Sequence, residues 1–248
     1  MHAEAISEKR NTSMQEISAG LPRWFDATVA LFSLFVAAPL LVLLSIAIAL
    51  TSGLPVLFRQ QRVGRLGRLF DLYKLRTMKS SADGPQITTR GDARVTRLGK
   101  FLRQTKLDEL PTFWNVLRGD MTLVGPRPEV PRYVNPENPL WRKVLAVKPG
   151  LTDPVTLQLR SEEDLLALVN GDSLKFYVEE LQPAKLKGYV AYLEHRTWRS
   201  DLIVLGRTMK AVIIPGSVSA VSEQTSRSET EIADDPLRDR PRSEERQA

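Results

Sequence analysis

The stretch TKLDELPTFWNVLRGDMTLVGPRPE, Thr105 to Glu129, sets two acids side by side, Asp108 and Glu109, ahead of a Pro-Arg-Pro. An ionised carboxylate is a competent nucleophile towards phosphorus and gives an acyl-phosphate-type intermediate. A second carboxylate beside it can hold a hard divalent cation. Adjacent side chains diverge by about 100° on a helix, so Asp108 can aim at phosphorus while Glu109 holds the metal. Arg127, fixed between Pro126 and Pro128, presents its guanidinium fork to a phosphate with little ordering cost. Pro128 belongs to the same substrate-binding turn. Arg76, in KLRTM, is a second candidate phosphate ligand. The chemistry such a set suits is attack on a pyrophosphate.

A plainer reading competes. Thr105-x-x-Asp108 has the spacing of a capping box with Asp in place of Glu, so Asp108 could simply start a helix. Arg127 could be a surface arginine in a rigid turn. Pro111 restricts the first alternative, because past the first turn its ring would clash with the Leu107 carbonyl. Whether the helix starts at Thr105 or at Pro111, both acids lie near an N-terminus whose N–H groups face any nearby anion.

Composition narrows the chemistry. There are no cysteines and two histidines, His2 and His195, so disulfides, thiolate sites and imidazole clusters are excluded. Any metal is a hard ion held by oxygen, which points to Mg²⁺. No Walker loop, Rossmann glycine pattern or Ser-His-Asp order occurs. Gly64 and Gly67 read as turn glycines. Asp153 and Arg160 are further candidates without an assigned role, and His195 receives none.

The net charge is +6, but residues 217–248 carry eight acids against five arginines, or −3, which leaves +9 for the rest. Between Arg59 and Lys106 there are thirteen Lys/Arg against three Asp. That block suits polyphosphate, nucleic acid or an anionic membrane face. Ala27 to Leu50 runs 24 residues without a charge, and about 20 apolar residues cross a bilayer core. Pro39 sits at its midpoint. Either the helix crosses with a kink, or it breaks at Pro39 and returns to the same face. Arg23 precedes the segment and Arg59, Arg62, Arg65 and Arg68 follow it, so the positive-inside rule favours the re-entrant form.

The elements that must position these residues can be outlined. Residues 1–20 form a polar extension, 21–58 the membrane segment, 59–216 the catalytic part and 217–248 a disordered tail. VLFRQQRV and LFDLYKLRTM read as strand, turn, strand, and residues 80–92 as a loop. Helices are expected over Thr96–Gln104, over Asp108–Arg118 ending at Gly119, in SEEDLLALVNG, over Leu186–Leu193 and over Arg199–Ile214. VKPGLTDP reads as a turn-rich connection. Leu202, Leu205, Met209, Val212 and Ile213 form an apolar stripe that suits either a core helix or one lying on a bilayer.

The stretches LFRQQRVGRLGRLFDLYKLRTM, DARVTRLGKFLRQTKLDELPTFWNVLRGDMTLVGPRPE and VKPGLT resemble the bacterial sugar transferases, the monotopic polyprenol-phosphate phosphoglycosyl transferases. The likeness runs from about Arg23 to Ile214. It implies a small, mostly helical α/β membrane enzyme. A proline-broken re-entrant helix and interfacial amphipathic helices would hold it at the cytoplasmic face of the bacterial inner membrane. It further implies that Asp108 attacks the β-phosphate of a UDP-sugar, releases UMP and carries sugar phosphate covalently until undecaprenyl phosphate takes it. Glu109 matches the Mg²⁺-associated acid and Arg127 the Pro-Arg-Pro arginine. Ala38-Pro39 stands where members often have Ser-Pro. PGLTDPVTLQLRSEEDLL departs from the usual PGITG-AQV-GR, which leaves the sugar open. The extra membrane helices and soluble domain of larger members are not expected.

Two other classes compete. A basic membrane-tethered binding protein explains the arginines but gives Asp108 and Glu109 no reason. An inverting glycosyltransferase would release UDP in place of UMP. The expected partners are therefore UDP-sugar, undecaprenyl phosphate and the bilayer, without nucleic acid; homo-oligomerisation is left open.

Overall fold

The computed structural model describes residues 20–79, 92–159, 162, 165, 166, 169 and 172–214. The polar extension up to residue 19, the loop at 80–91, most of the SEEDLLALVNG helix, Arg160 and the tail lie outside the described residues.

The apolar segment forms α1, Arg23–Ser52, which at about 1.5 Å per residue is long enough for a hydrocarbon core of about 30 Å. Its mean hydropathy is 2.7, and few of its residues are buried against the rest of the chain. The helix continues through Pro39, so the expected interruption into two helical arms is not found. One lost hydrogen bond, to the Phe35 carbonyl, does not end a helix whose other turns remain bonded. Both ends of α1 rest on the same body while its middle stands clear. Near the start, Ala30 packs with Val116, Met121 and Leu123. Near the end, Leu44 and Ile48 pack with Leu75 and Leu102. Between them Phe35 is 79% exposed.

Polar clips fix both ends. Arg23 donates to the carbonyls of Val116, at 2.6 Å, and Leu117. Asp26 is buried and accepts from Thr122 Oγ1 at 2.6 Å and Leu123 N at 3.2 Å. At the far end Arg76 Nη2 donates to the carbonyls of Ser52 and Gly53.

The expected strand pair is present as β1, Leu57–Val63, and β2, Leu69–Leu75, antiparallel with Leu57 opposite Leu75. Strand alternation puts Leu72 and Lys74 on one face of β2. Helix α2, Arg97–Thr105, starts at Thr96, whose Oγ1 accepts from Gly99 N at 2.9 Å, and ends where Lys106 turns left-handed at φ 59°. The single helix expected from Asp108 is instead a 3₁₀ turn, Leu107–Glu109, followed by α3, Thr112–Arg118. Pro111 precedes α3, since a proline fits at a helix start but not inside one. Gly119, at φ 91°, ends α3 as expected.

After α3 come β3, Thr122–Val124, and α4, Pro139–Leu145. VKPGLTDP is not only a turn. It contains β4, Gly150–Thr152, which pairs in parallel with β3, and then α5, Pro154–Gln158. A Cβ on Gly150 would lie 2.1 Å from Gly125 N, so the two chains approach as closely as backbone allows. Helix α6, Ser173–Phe176, leads through a π-helical turn, Tyr177–Leu181, into α7, Gln182–Glu194.

The last helix is α8, Trp198–Ile213. It buries Asp201, Val204 and Ala211 and exposes the other face, with Met209 60% and Ile213 70% exposed. Most of the sequence stripe therefore lies on the surface, as suits a helix at a bilayer interface. Asp201 is fully buried. It pairs with Arg196 at 2.9 Å and accepts from Leu21 N at 3.1 Å, which ties α8 to the approach to α1.

Candidate active site

Four elements converge on the acids: β2, the 3₁₀ turn before α3, the Pro-Arg-Pro turn after β3, and β4. Asn115, wholly buried in α3, holds β2 in place. Its Nδ2 donates to Asp71 O at 2.7 Å and its Oδ1 accepts from Tyr73 N at 3.1 Å. Thr112 Oγ1 donates to Tyr73 O at 2.9 Å. The Pro-Arg-Pro turn is held against β4, where Gly150 N donates to Pro126 O at 2.9 Å.

Glu109 is clamped. Its Oε1 takes Arg127 Nη2 at 2.6 Å and Lys74 Nζ at 2.9 Å, and its Oε2 takes Arg127 Nη1 at 3.4 Å. Burial would raise its pKa, but the charges of Arg127 and Lys74 outweigh burial and hold the carboxyl well below the usual range. Glu109 is ionised at neutral pH. Its charge in turn raises the Arg127 pKa. Burial lowers the Lys74 pKa, with Glu109 acting against that shift.

Asp108 is buried too, at 7% exposure, but its Oδ1 has no hydrogen-bond partner among the described residues. The capping alternative does not hold. Thr105 Oγ1 donates backwards to Phe101 O and Leu102 O, and no side chain caps the turn that carries Asp108. Burial, reinforced by the Glu109 charge, pushes the Asp108 pKa above 3.8, while Lys74, Lys106 and Arg103 draw it down. The two acids thus differ: one is a fixed anion, the other a desolvated carboxyl with an unused oxygen. Pairs with diverging pKa values commonly mark chemistry.

Beside Glu109 lies an open pocket lined by Arg62, Lys74, Glu109, Thr112, Arg127 and Pro128 among others; Asp108 is not one of its lining residues. Glu109, Arg127 and Pro128 are brought together as the sequence suggested. Arg76 is not a lining residue, and its Nη2 serves the end of α1. Asp153 is wholly buried and caps α5, accepting from Thr156 N at 2.9 Å; burial raises its pKa. His195 ends α7. Lys74, Arg62 and Asn115 were not foreseen. For Lys74 a signal existed, since it alternates with Leu72 along a strand that runs into Arg76.

Among the described residues no group of three His, Cys, Asp or Glu could enclose a metal. Mg²⁺ does not need one, because it takes one or two carboxylates and fills its other positions with phosphate oxygens and water. A carboxylate offers about four acceptor positions, and among the described residues Glu109 Oε2 carries one long contact, to Arg127 Nη1 at 3.4 Å. The residues present fit such an ion.

The profile of the bacterial sugar transferase family matches residues 17–215. The UDP-glucose:undecaprenyl-phosphate glucose-1-phosphate transferase of Caulobacter vibrioides is 37% identical over 196 residues, 77% of this chain and 69% of that protein. The undecaprenyl-phosphate galactose phosphotransferase of Salmonella typhimurium is 31% identical over 233 residues, 86% of this chain but 44% of that protein. A Bacillus subtilis sugar transferase, EpsL, is 31% identical over 210 residues, 83% of this chain and 94% of that protein. The acid pair, the clamped Pro-Arg-Pro and the long apolar helix thus stand in a chain that belongs to the bacterial sugar transferase family, the phosphoglycosyl transferase enzymes.

Proposed function

We propose that this chain moves sugar 1-phosphate from a UDP-sugar to undecaprenyl phosphate through a covalent intermediate on Asp108. The observation that carries this reading is the unpartnered Asp108 Oδ1 beside a Glu109 fixed by Lys74 and Arg127. In the first step the Asp108 carboxylate oxygen bonds to the β-phosphorus and the bridging P–O bond breaks, releasing UMP. In the second, a phosphate oxygen of the lipid bonds to that phosphorus and Asp108 leaves, giving a polyprenyl-diphospho-sugar.

Burial keeps water from the acyl phosphate and leaves the carboxylate poorly solvated, hence reactive. Arg127 and Lys74 supply fixed positive charge where the phosphoryl oxygens gather charge. Glu109 would hold Mg²⁺, which when bound neutralises phosphate charge. Lys74 faces both acids and lowers the pKa of each.

The shared anchorage of both ends of α1 supports a re-entrant path with both ends at the cytoplasmic face of the inner membrane, Pro39 being the place where the helix bends. The exposed apolar face of α8 suits the same bilayer surface. The relatives are named for glucose and for galactose, so the donor is taken here as a UDP-hexose or its derivative.

The test is to supply UDP-sugars with Mg²⁺, first without and then with polyprenol phosphate. Expected are UMP as the leaving product and, with donor alone, a gain of one sugar phosphate in intact-protein mass. Asp108→Asn should abolish the adduct and lower turnover by about three orders of magnitude or more. Release of UDP would instead favour an inverting glycosyltransferase. Donor cleavage only when lipid is present would defeat the two-step scheme.

A further inference from the structure

Arg62, on β1, lines the same pocket as Lys74, Glu109 and Arg127. Its guanidinium is pinned on two nitrogens. Nη2 donates to Gln60 Oε1 at 2.6 Å, and Nη1 donates to Pro128 O at 3.0 Å and, at 3.4 Å, to Glu129 Oε1. Glu129 is itself fixed, accepting from Val130 N at 2.8 Å and from the Tyr177 hydroxyl. Tyr177 opens the π-helical turn, and single turns of this kind recur at functional sites.

The third nitrogen, Nε, is buried and has no hydrogen-bond partner among the described residues. An unsatisfied buried donor is destabilising, the more so when charged, so native proteins seldom keep one without a use. The guanidinium cannot turn to serve Nε without releasing Pro128, Glu129 and Gln60. Arg127 is also close enough to act against the Arg62 charge. An oxyanion placed between them would accept from Nε and relieve that repulsion.

We propose that Arg62 is a phosphate ligand of this pocket, its Nε donating to an oxygen of the nucleotide-sugar diphosphate. This rests on the transferase reading above. The same phosphate chemistry could come from the lipid acceptor. The donor is favoured because Arg62 shares its pocket with Glu109 and Arg127, the residues set around the donor diphosphate.

The test uses the full chain in detergent or nanodiscs. Arg62→Lys keeps a cation for Glu129 and Pro128 O but removes the Nε donor. Binding of inorganic pyrophosphate with Mg²⁺ is read by calorimetry, and KM is measured for UDP-sugar and for polyprenol phosphate separately. Loss of one charge-assisted hydrogen bond predicts about 10-fold or greater weakening of pyrophosphate binding and a similar rise in donor KM, with kcat and acceptor KM little changed. A rise confined to acceptor KM would move the contact to the lipid phosphate and overturn the donor assignment. A folded variant unchanged in all three would make Arg62 purely structural.

A second pair guards against a folding defect. Arg62→Gln and Arg62→Met both lose the fork and the charge, but Gln keeps an N–H at the Nε position. Gln should bind pyrophosphate several-fold more tightly than Met, and equal affinities would overturn the proposal. If wild type turns over no UDP-sugar, the transferase reading fails, yet the pyrophosphate measurements still decide Arg62.

Discussion

Arg127 Nη2 lies 2.6 Å from Glu109 Oε1, and its second nitrogen reaches Oε2 at 3.4 Å. The contact joins the Pro-Arg-Pro turn to the turn before α3, 18 residues apart in sequence. It needs a planar fork, which lysine lacks. Arg127→Lys should therefore keep the charge but lower kcat/KM for the UDP-sugar by about 10- to 100-fold, the worth of one charge-assisted hydrogen bond. Steady-state kinetics decides it; near-wild-type activity would mean that charge alone suffices.

The raised Asp108 pKa sets a pH signature. Burial and the Glu109 charge favour the neutral form, so the reactive carboxylate is lost as pH falls through a value above 3.8. The acid limb of donor-only UMP release should lie above 3.8, and Lys74→Met, which removes a cation that lowers this pKa, should move it to higher pH. For stability the sign is the reverse of the usual aspartate case. The unfolded chain ionises first, so ionising Asp108 costs the folded state stability as pH rises above 3.8. Asp108→Asn should unfold at a higher temperature than wild type at neutral pH, with the gap closing towards pH 3.8. A gap that widens on acidification would contradict the assignment.

Gly150 and Gly206 make a matched pair. A methyl group on Gly150 would meet Gly125 N at 2.1 Å, whereas one on Gly206 would meet nothing within 4 Å. Gly150→Ala should lower stability by about 1–3 kcal/mol through backbone overpacking and disturb the Arg127 turn. Gly206→Ala, inside α8, should be neutral or stabilising by up to about 1 kcal/mol. Thermal unfolding of both reads the difference, and equal effects would refute the close approach of Gly150 to Gly125.

The topology is open to labelling because the chain has no native cysteine. Pro22→Cys and Thr51→Cys place single thiols at exposed positions near the two ends of α1. A re-entrant path predicts that an impermeant maleimide labels both from the cytoplasmic side of sealed vesicles. Labelling from opposite sides would show a full crossing.

Much of the site was legible because its signals are local. The acid pair, the Pro-Arg-Pro and the Gly119 stop each fit within a few residues, and so did the β1–β2 hairpin. What escaped depends on distant partners. Lys74 was one of thirteen cations in a basic block; its strand position beside Leu72 hinted at it, but its contact with Glu109, 35 residues on, assigns it. Arg62 was one of several arginines until Glu129 and Tyr177 fixed its fork. β4 has only three residues, too few for a periodic pattern, and exists because β3 lies alongside it. The continuity of α1 through Pro39 was misjudged because one missing hydrogen bond weighs little among the many that remain.

Arg23 grips the last carbonyls of α3, and Arg76 grips the last carbonyls of α1 two residues beyond Lys74 on the same stretch of chain. These contacts tie both ends of the apolar helix to the elements that carry Asp108 and Lys74. On the re-entrant path proposed above, the depth at which that helix sits would set the height of Asp108 above the acyl chains. Bilayers of thinner or thicker hydrocarbon would raise or sink the reaction centre relative to the headgroups from which its acceptor comes.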